Sequence, residues 1–471
     1  MKKVLLVNTN TETNPYPVPP LGICLLAQSI KHRYQVHVYD GVFDEGKKLS
    51  SVIQQFNPDY IGISIRNIDD MVMENPTCYT NPILENFVKL IKRESVAKII
   101  LGGSGFSIFP FELLRLFGAD YGVVGESEEV FLTLLDSMDK NIPVFHIQGV
   151  INHSTNEDTF KHPEKNMNID QLPFSDIDKH IDFNPYKSRS VYPIQTKRGC
   201  RHQCIYCTYP LIEGKTYQTR KPENIADEIE QAYERLGPVT FEFVDSTFND
   251  PPGHAEAICK AIINKNIKVK LRTMGINPRH SSPELFELML NAGFTQIDCT
   301  PDSASPVIIK NLKKGFSYND LKYTAEIIKE FDLPAMWFFL FGGPGENERT
   351  INETFDFIDR YISQKDMVHL TCGLRIYPGT ELHKIALKEK IITHVSESLL
   401  IPRFYLTTEL AKDEMEQIFM EKLKTRPNCI PGSESKPDAA MLKQAFILRE
   451  TLKTDEPMFR TLLRIRKQNF Y

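Results

Sequence analysis

Twice along this chain, short apolar runs alternate with stretches of helical period, and that alternation leaves few folds open. Over residues 1–150 the runs are VLLVN at Val4, QVHVYD ending at Asp40, YIGISI at Tyr60, KIILGG at Lys98 and YGVVGE at Tyr121. Helical patterns start between them near Leu21, Leu49, Asn81, Phe111 and Glu128. Strands alternating with helices predict a doubly wound parallel sheet. Ligands of such sheets lie beyond the carboxyl ends of the strands. Those ends carry the Pro-rich loop 14–20, then Ser64, then Gly102, Gly103, Ser104 and Gly105, then Gly125 and Glu126. Glycine lets a backbone approach a large flat or phosphate-bearing ligand, although a tight strand–helix turn asks for it too. Ser64, Gly102, Gly103 and Gly125 are the candidate contacts.

A polar, proline-spotted segment follows over residues 151–190 and reads as a connector. A second series then runs through VYPIQT, TFEFVD at Thr240, VKLRTM at Val269, QIDCT at Gln296, AMWFFLF at Ala335 and VHLTCGL at Val368. Helical patterns begin from Glu223, His254, Ser282, Tyr318 and Glu348. Six such units predict a partial (βα)6 barrel over residues 191–395, with its chemistry at the carboxyl ends of the strands. Residues 396–471 read as a small C-terminal helical region. The class is therefore α/β: a doubly wound sheet, a partial barrel and a helical tail.

The charge balance narrows the partners. Lys and Arg number 56 against 61 Asp and Glu, for a formal net charge of -5, which is no footprint for nucleic acid. No run approaches the ~18 apolar residues of a membrane span. The nine cysteines are odd in number and mostly far apart, the usage of a reducing, cytoplasmic interior rather than a disulfide framework.

Three of those cysteines are not scattered. Cys200, Cys204 and Cys207 stand in KRGCRHQCIYC with C-x3-C-x2-C spacing, directly after the first strand of the second series. Thiolates are the usual ligands of iron–sulfur clusters, and a cubane normally takes four. Three from one loop leave one iron open for chemistry. The competing assignment is half of a zinc site, with His202 as a further ligand, but zinc sites of this kind pair C-x2-C with a second knuckle that this chain lacks.

With the barrel, this motif resembles the radical S-adenosylmethionine (SAM) superfamily. The resemblance implies a 4Fe-4S cluster on Cys200, Cys204 and Cys207, whose open iron takes the amino and carboxylate groups of SAM. It places Tyr206 against the adenine, and Asp245 and Ser246 beside the SAM amino group. Asp302, in TPDSAS where many members have GIESGS, would reach a ribose hydroxyl. Gly342 and Gly343, in FGGPGEN, would leave room for the adenine, and RIYPGTEL resembles the run after the sixth strand. The first 150 residues resemble the cobalamin-binding domain that precedes the barrel in one large subgroup, through VPPLGICLLA, PDYIGIS, IILGGSGFSIFP and ADYGVVGESEEVF. The D-x-H-x-x-G motif that gives cobalt a histidine in many cobalamin proteins is missing. Bound cobalamin without a protein histidine is the expected state.

What the resemblance implies is a cobalamin-dependent methyltransferase that draws on SAM for a radical and for the methyl group. It would act on an unactivated carbon of a small-molecule, lipid or peptide substrate, with an electron donor such as flavodoxin or ferredoxin. A cyclase or ring-rearranging enzyme on the same fold is the alternative. A methylthiotransferase would need three further N-terminal cysteines, and only Cys24 and Cys78 precede Cys200. A sensor would need an output element, and none is legible.

Overall fold

The computed structural model describes residues 1–160, 162–163, 168–394, 397–434 and 439–470. Its first sheet is built from β1 (Lys3–Asn8), β2 (Gln35–Asp40), β3 (Tyr60–Ser64), β4 (Lys98–Gly102), β5 (Tyr121–Val123) and β6 (Val150–Ile151). They lie in the order β2-β1-β3-β4-β5-β6, parallel except for β6, which pairs antiparallel with β5. The reversal of order between β1 and β3 is the switch point at which doubly wound sheets bind their ligands. Val4–Val7 and Ile61–Ile63 are buried on both faces, as continuous apolar strands must be.

The second sheet comprises β7 (Tyr192–Ile194), β10 (Thr240–Phe243), β11 (Lys270–Ile276), β12 (Phe294–Asp302), β13 (Ala335–Phe341), β14 (Met367–Cys372) and β17 (Cys429–Pro431). These are all parallel and follow one another in chain order, as an open barrel requires. Two small hairpins decorate it: β8 (Lys197–Arg198) with β9 (Gln218–Thr219), and β15 (Leu374–Arg375) with β16 (Phe404–Tyr405). The six expected strands are present. The tail adds β17, a seventh, on the β14 edge, beside the helices Lys412–Leu423, Ala439–Leu452 and Met458–Phe470. The expected boundary between residues 395 and 396 lies outside the described residues.

Local chemistry sets the helix starts. Ser317 and Asp320 form a reciprocal capping box at the helix Tyr318–Glu330, and Ser282 caps Pro283–Ala292. Gly293 ends the latter at φ +105, where a Cβ would lie 2.3 Å from the Val269 carbonyl oxygen. No helix among the described residues is long and apolar enough to cross a membrane.

The connector is folded rather than loose. Ile177, Phe183 and Tyr186 enter one apolar layer that runs from Leu6 and Ile23 of the first domain to Tyr192 and Phe241 of the second. Tyr186 Oη donates to Asp40 at 2.6 Å, and Gln28 donates to Asp176 at 2.7 Å. Its polarity hid a few well-spaced apolar anchors.

Candidate functional site

The loop that carries the cysteines starts and ends in the β8/β9 hairpin. Gly199 opens it at φ +85, and a Cβ there would fall 2.0 Å from the Thr216 carbonyl oxygen, so glycine is required. The Cys200 amide donates to Gly214 O at 3.0 Å and the Cys207 amide to Cys204 O at 3.1 Å. Ile205, buried between the cysteines, is clamped from both sides: its amide donates to Leu312 O at 3.2 Å and its carbonyl accepts from Leu382 N at 2.8 Å. Burial pushes the Cys204 thiol up and the Cys207 thiol up to about 12. Those values describe bare thiols; iron takes the thiolate and releases the proton. Among the described residues no three His, Cys, Asp or Glu side chains converge on a single ion. A cubane places each thiolate on a different iron and needs no such convergence.

Tyr206 and Asp302 come together, with a partner the sequence did not disclose. Tyr206 Oη donates to Asp302 Oδ2, and Lys314 Nζ reaches the same oxygen at 2.6 Å and Tyr206 Oη at 3.1 Å. Burial opposes the Lys314 charge, yet Asp302 beside it holds the ammonium well above the usual lysine range. Asp302 sits at φ +63, a left-handed backbone unusual for aspartate, at the carboxyl end of β12. Lys314 was missed because nothing marks one lysine of LKKG out from another.

Asp245 lies at the expected strand end but is fully occupied there. Its Oδ1 accepts from the Thr196 and Lys197 amides at 2.9 and 3.2 Å, and its Oδ2 from Thr196 Oγ1 at 2.6 Å. Lys197 Nζ stands 3.5 Å away, with both side chains sealed from solvent. This carboxylate pins the turn from β7 into the cysteine loop and has no oxygen left for an ammonium. The neighbouring Ser246 Oγ is buried without a partner. His202 pairs with Asp250 at 2.7 Å and contacts Asn277 at 2.9 Å, away from a ligand role. The Gly342 and Gly343 amides donate to Glu346 Oε2 at 2.7 and 3.3 Å, and burial raises that carboxyl to about 7.

The first domain presents the carboxyl ends of its strands to this loop. A cavity of about 190 Å³ is lined there by Gly62, Ser64, Gly102, Gly103, Gly125 and, from the barrel, Arg198. Gly103 takes φ +101, and a Cβ would sit 2.6 Å from the Ile65 carbonyl oxygen. Gly125 takes φ +81, and its amide donates to Ser107 Oγ at 2.9 Å. All four expected contacts, Ser64, Gly102, Gly103 and Gly125, line this one cavity.

The residues present fit the groups the sequence implies. Three thiols on one clamped loop suit an iron–sulfur cluster, and the unpartnered Ser246 Oγ suits a polar ligand beside it. A cavity lined by glycines, which put no side chain into it, suits a bulky cofactor tail.

Comparison with known proteins agrees. Residues 194–358 match the Radical SAM superfamily and residues 8–135 the B12 binding domain. The chain is 25% identical over 408 residues to an uncharacterized methyltransferase of Pyrococcus horikoshii, covering 83% of this chain and 84% of the relative. It is 24% identical over 451 residues to tryptophan 2-C-methyltransferase of Streptomyces laurentii, covering 81% and 74%. Among solved structures, the radical SAM methyltransferase TsrM of Kitasatospora setae, with cobalamin and a 4Fe-4S cluster bound, superposes with TM-score 0.83 at 18% identity over 100% of both chains. The cobalamin-dependent radical enzyme OxsB gives 0.74 at 14%, covering 100% of this chain and 71% of its own. Fold and site thus define an iron–sulfur barrel enzyme joined to a second cofactor-binding domain. The chain belongs to the radical SAM superfamily, in the group whose barrel follows a B12-binding domain. Its cofactors are a 4Fe-4S cluster, SAM and cobalamin.

Proposed function

We propose that this enzyme is a cobalamin-dependent C-methyltransferase acting on an unactivated carbon. The observation that carries this is the shared cavity: the glycine-lined strand ends of the B12-binding domain and Arg198, two residues before Cys200, bound the same space. A methyl carrier there and a radical source on the cysteine loop would work on one substrate. When bound, the cofactors supply the radical and the methyl group, and the protein supplies orientation and dryness. Cys200, Cys204 and Cys207 would hold the cluster and Ile205 keep their loop from shifting. Ser64, Gly102, Gly103 and Gly125 would cradle the corrinoid tail, and Gly342 and Gly343 border the SAM adenine. Ser246 would offer SAM a hydroxyl. Tyr206, held by Asp302 and Lys314, would face the adenine with its ring.

The match to methyltransferases over most of the chain supports methyl transfer over a cyclisation or rearrangement. The cluster needs electrons from outside, for which a flavodoxin or ferredoxin is the fitting donor. All nine cysteines are free of disulfides, in keeping with a reducing, cytoplasmic setting.

The test is anaerobic reconstitution with iron, sulfide and hydroxocobalamin, then turnover with methyl-deuterated SAM. About one cobalt and four irons per chain, with a deuterated methyl in the product, support the proposal. Iron without cobalt, or a product lacking that methyl, overturns it.

A further inference from the structure

The inner face of the barrel carries charges that neither the cluster loop nor the cavity uses. Along β13 the side chains alternate, with Met336, Phe338 and Leu340 half-exposed towards the lumen and their neighbours buried against the helices. On the same inner face Glu242 of β10 stands opposite Arg272 of β11, and Arg272 opposite Gln296 of β12, with Asp298 next along. Tyr16 enters from the loop after β1 of the other domain and donates to Glu242 at 2.9 Å. The Arg272 guanidinium lies 4.4 Å from the centre of the Tyr16 ring, and its Nε donates to Glu242.

Two groups in this layer are left with open valence. Arg272 uses only Nε, and neither terminal nitrogen makes a hydrogen bond among the described residues. Asp298 is 7% exposed; Oδ1 accepts from Gln296 at 3.1 Å, and Oδ2 accepts nothing among the described residues. Burial raises its carboxyl to about 6, with Arg272 working the other way, so it is mostly ionised at neutral pH. Arg272 and Asp298 feel each other's charge without forming an ion pair. Asp298 Oδ2 and the terminal nitrogens of Arg272 are thus free to make charge-assisted hydrogen bonds with a ligand.

We propose that Arg272 and Asp298 form the recognition floor for a small zwitterionic substrate, a free α-amino acid, whose carboxylate takes the open guanidinium fork and whose ammonium takes Asp298 Oδ2. A guanidinium fork matches a carboxylate, and an ammonium donates a charge-assisted hydrogen bond to Asp298. Phe338 and His369, stacked at 5.0 Å and 10°, give the amino-acid side chain a flat wall. The His369 Nε2 there is buried and unpartnered, and burial lowers the imidazole to about 4, which keeps it neutral. Asp298 and Asp302 are four positions apart on β12, but the register slips between Cys299 and Asp302, so they pair with Met336 and Phe339, three positions of β13 or about 10 Å at strand rise. That leaves a small molecule's length between the floor and the Tyr206–Asp302 layer. Tyr16 makes the floor depend on both domains being docked.

This substrate class rests on the methyltransferase proposal, and its test is a binding measurement that does not need turnover. Reconstituted full-length enzyme is titrated by calorimetry with the protein-forming L-amino acids, and each binder is retested as its N-acetyl and its carboxamide form. The expected result is binding of at least one free amino acid, weakened roughly tenfold or more in each blocked form. Asp298→Asn and Arg272→Gln are expected to lose a similar factor, and the blocked ligands on the unaltered enzyme decide the matter should a variant not fold. No binder, or a blocked form that binds as tightly as the free one, overturns the inference. Methyl gain on some other substrate with no amino-acid binding overturns this inference alone. Amino-acid binding with cobalt-free protein leaves it standing and overturns the methyl-transfer proposal instead.

Discussion

Arg198 donates to Glu128 through both terminal nitrogens, at 2.5 and 3.2 Å, and so ties the barrel's cysteine loop to the first helix after β5 in the other domain. Both side chains are over nine-tenths buried, and Glu126 Oε1 lies 3.7 Å from the same guanidinium. Burial opposes the Glu128 charge, but Arg198 outweighs it and holds that carboxyl below the usual range. A pair this enclosed registers the two cofactor sites against each other.

Breaking it takes the nearest partner from a buried charge, leaving Arg198 the more distant Glu126 when Glu128 is replaced. Arg198→Met and Glu128→Gln are each expected to cost about 3–5 kcal/mol, and the double variant less than the sum. Chemical denaturation of the singles and the double checks this; additive losses would show that the two residues do not act as a pair.

The two cofactors are expected to separate by mutation. Replacing Cys200, Cys204 or Cys207 by Ala should abolish cluster iron after reconstitution while corrinoid content stays near that of the unaltered protein. Elemental iron and cobalt, measured on the same samples, give the answer.

Gly103→Ala is the complementary change. The added Cβ would meet the Ile65 carbonyl oxygen at 2.6 Å in a backbone region that alanine avoids, so the strand end must shift. Cobalt content should fall with iron unchanged. Retention of full corrinoid by Gly103→Ala would remove this turn from the cofactor cradle.

Glu346 predicts a pH dependence of stability. Folding keeps its proton to about pH 7 against an ordinary value of 4.5, because burial outweighs the Gly342 and Gly343 amides. The stability contributed by protonated Glu346 is therefore full below that ordinary value and lost as pH rises through about 7. Melting temperature followed across this range should fall for the unaltered enzyme and fall less for Glu346→Gln.

Much of this protein is determined by sequence alone. Apolar runs of strand length bounded by turn residues place the strands of the two parallel sheets to within a residue or two, apart from β5, which stops three residues before its run does, and from the minor hairpins, β6 and β17. The C-x3-C-x2-C spacing singles out the cluster loop, and the glycines after β4 and β5 point to the cavity. These signals are local, because strand period, turn chemistry and ligand spacing are written within a few residues of one another.

Tertiary structure decided what those residues do to one another. Asp245 looked like a ligand contact and is saturated by Thr196 and Lys197, whose amides lie 49 and 48 residues away in the chain. Lys314 completes the Tyr206–Asp302 group from 108 residues beyond Tyr206. Arg198 finds Glu128, and Tyr16 finds Glu242, only because two domains dock through the apolar layer around Tyr186 and Tyr192. A buried charge is held by whichever partner the fold brings near, and that choice is made by packing at long range, beyond the reach of any local pattern in the chain.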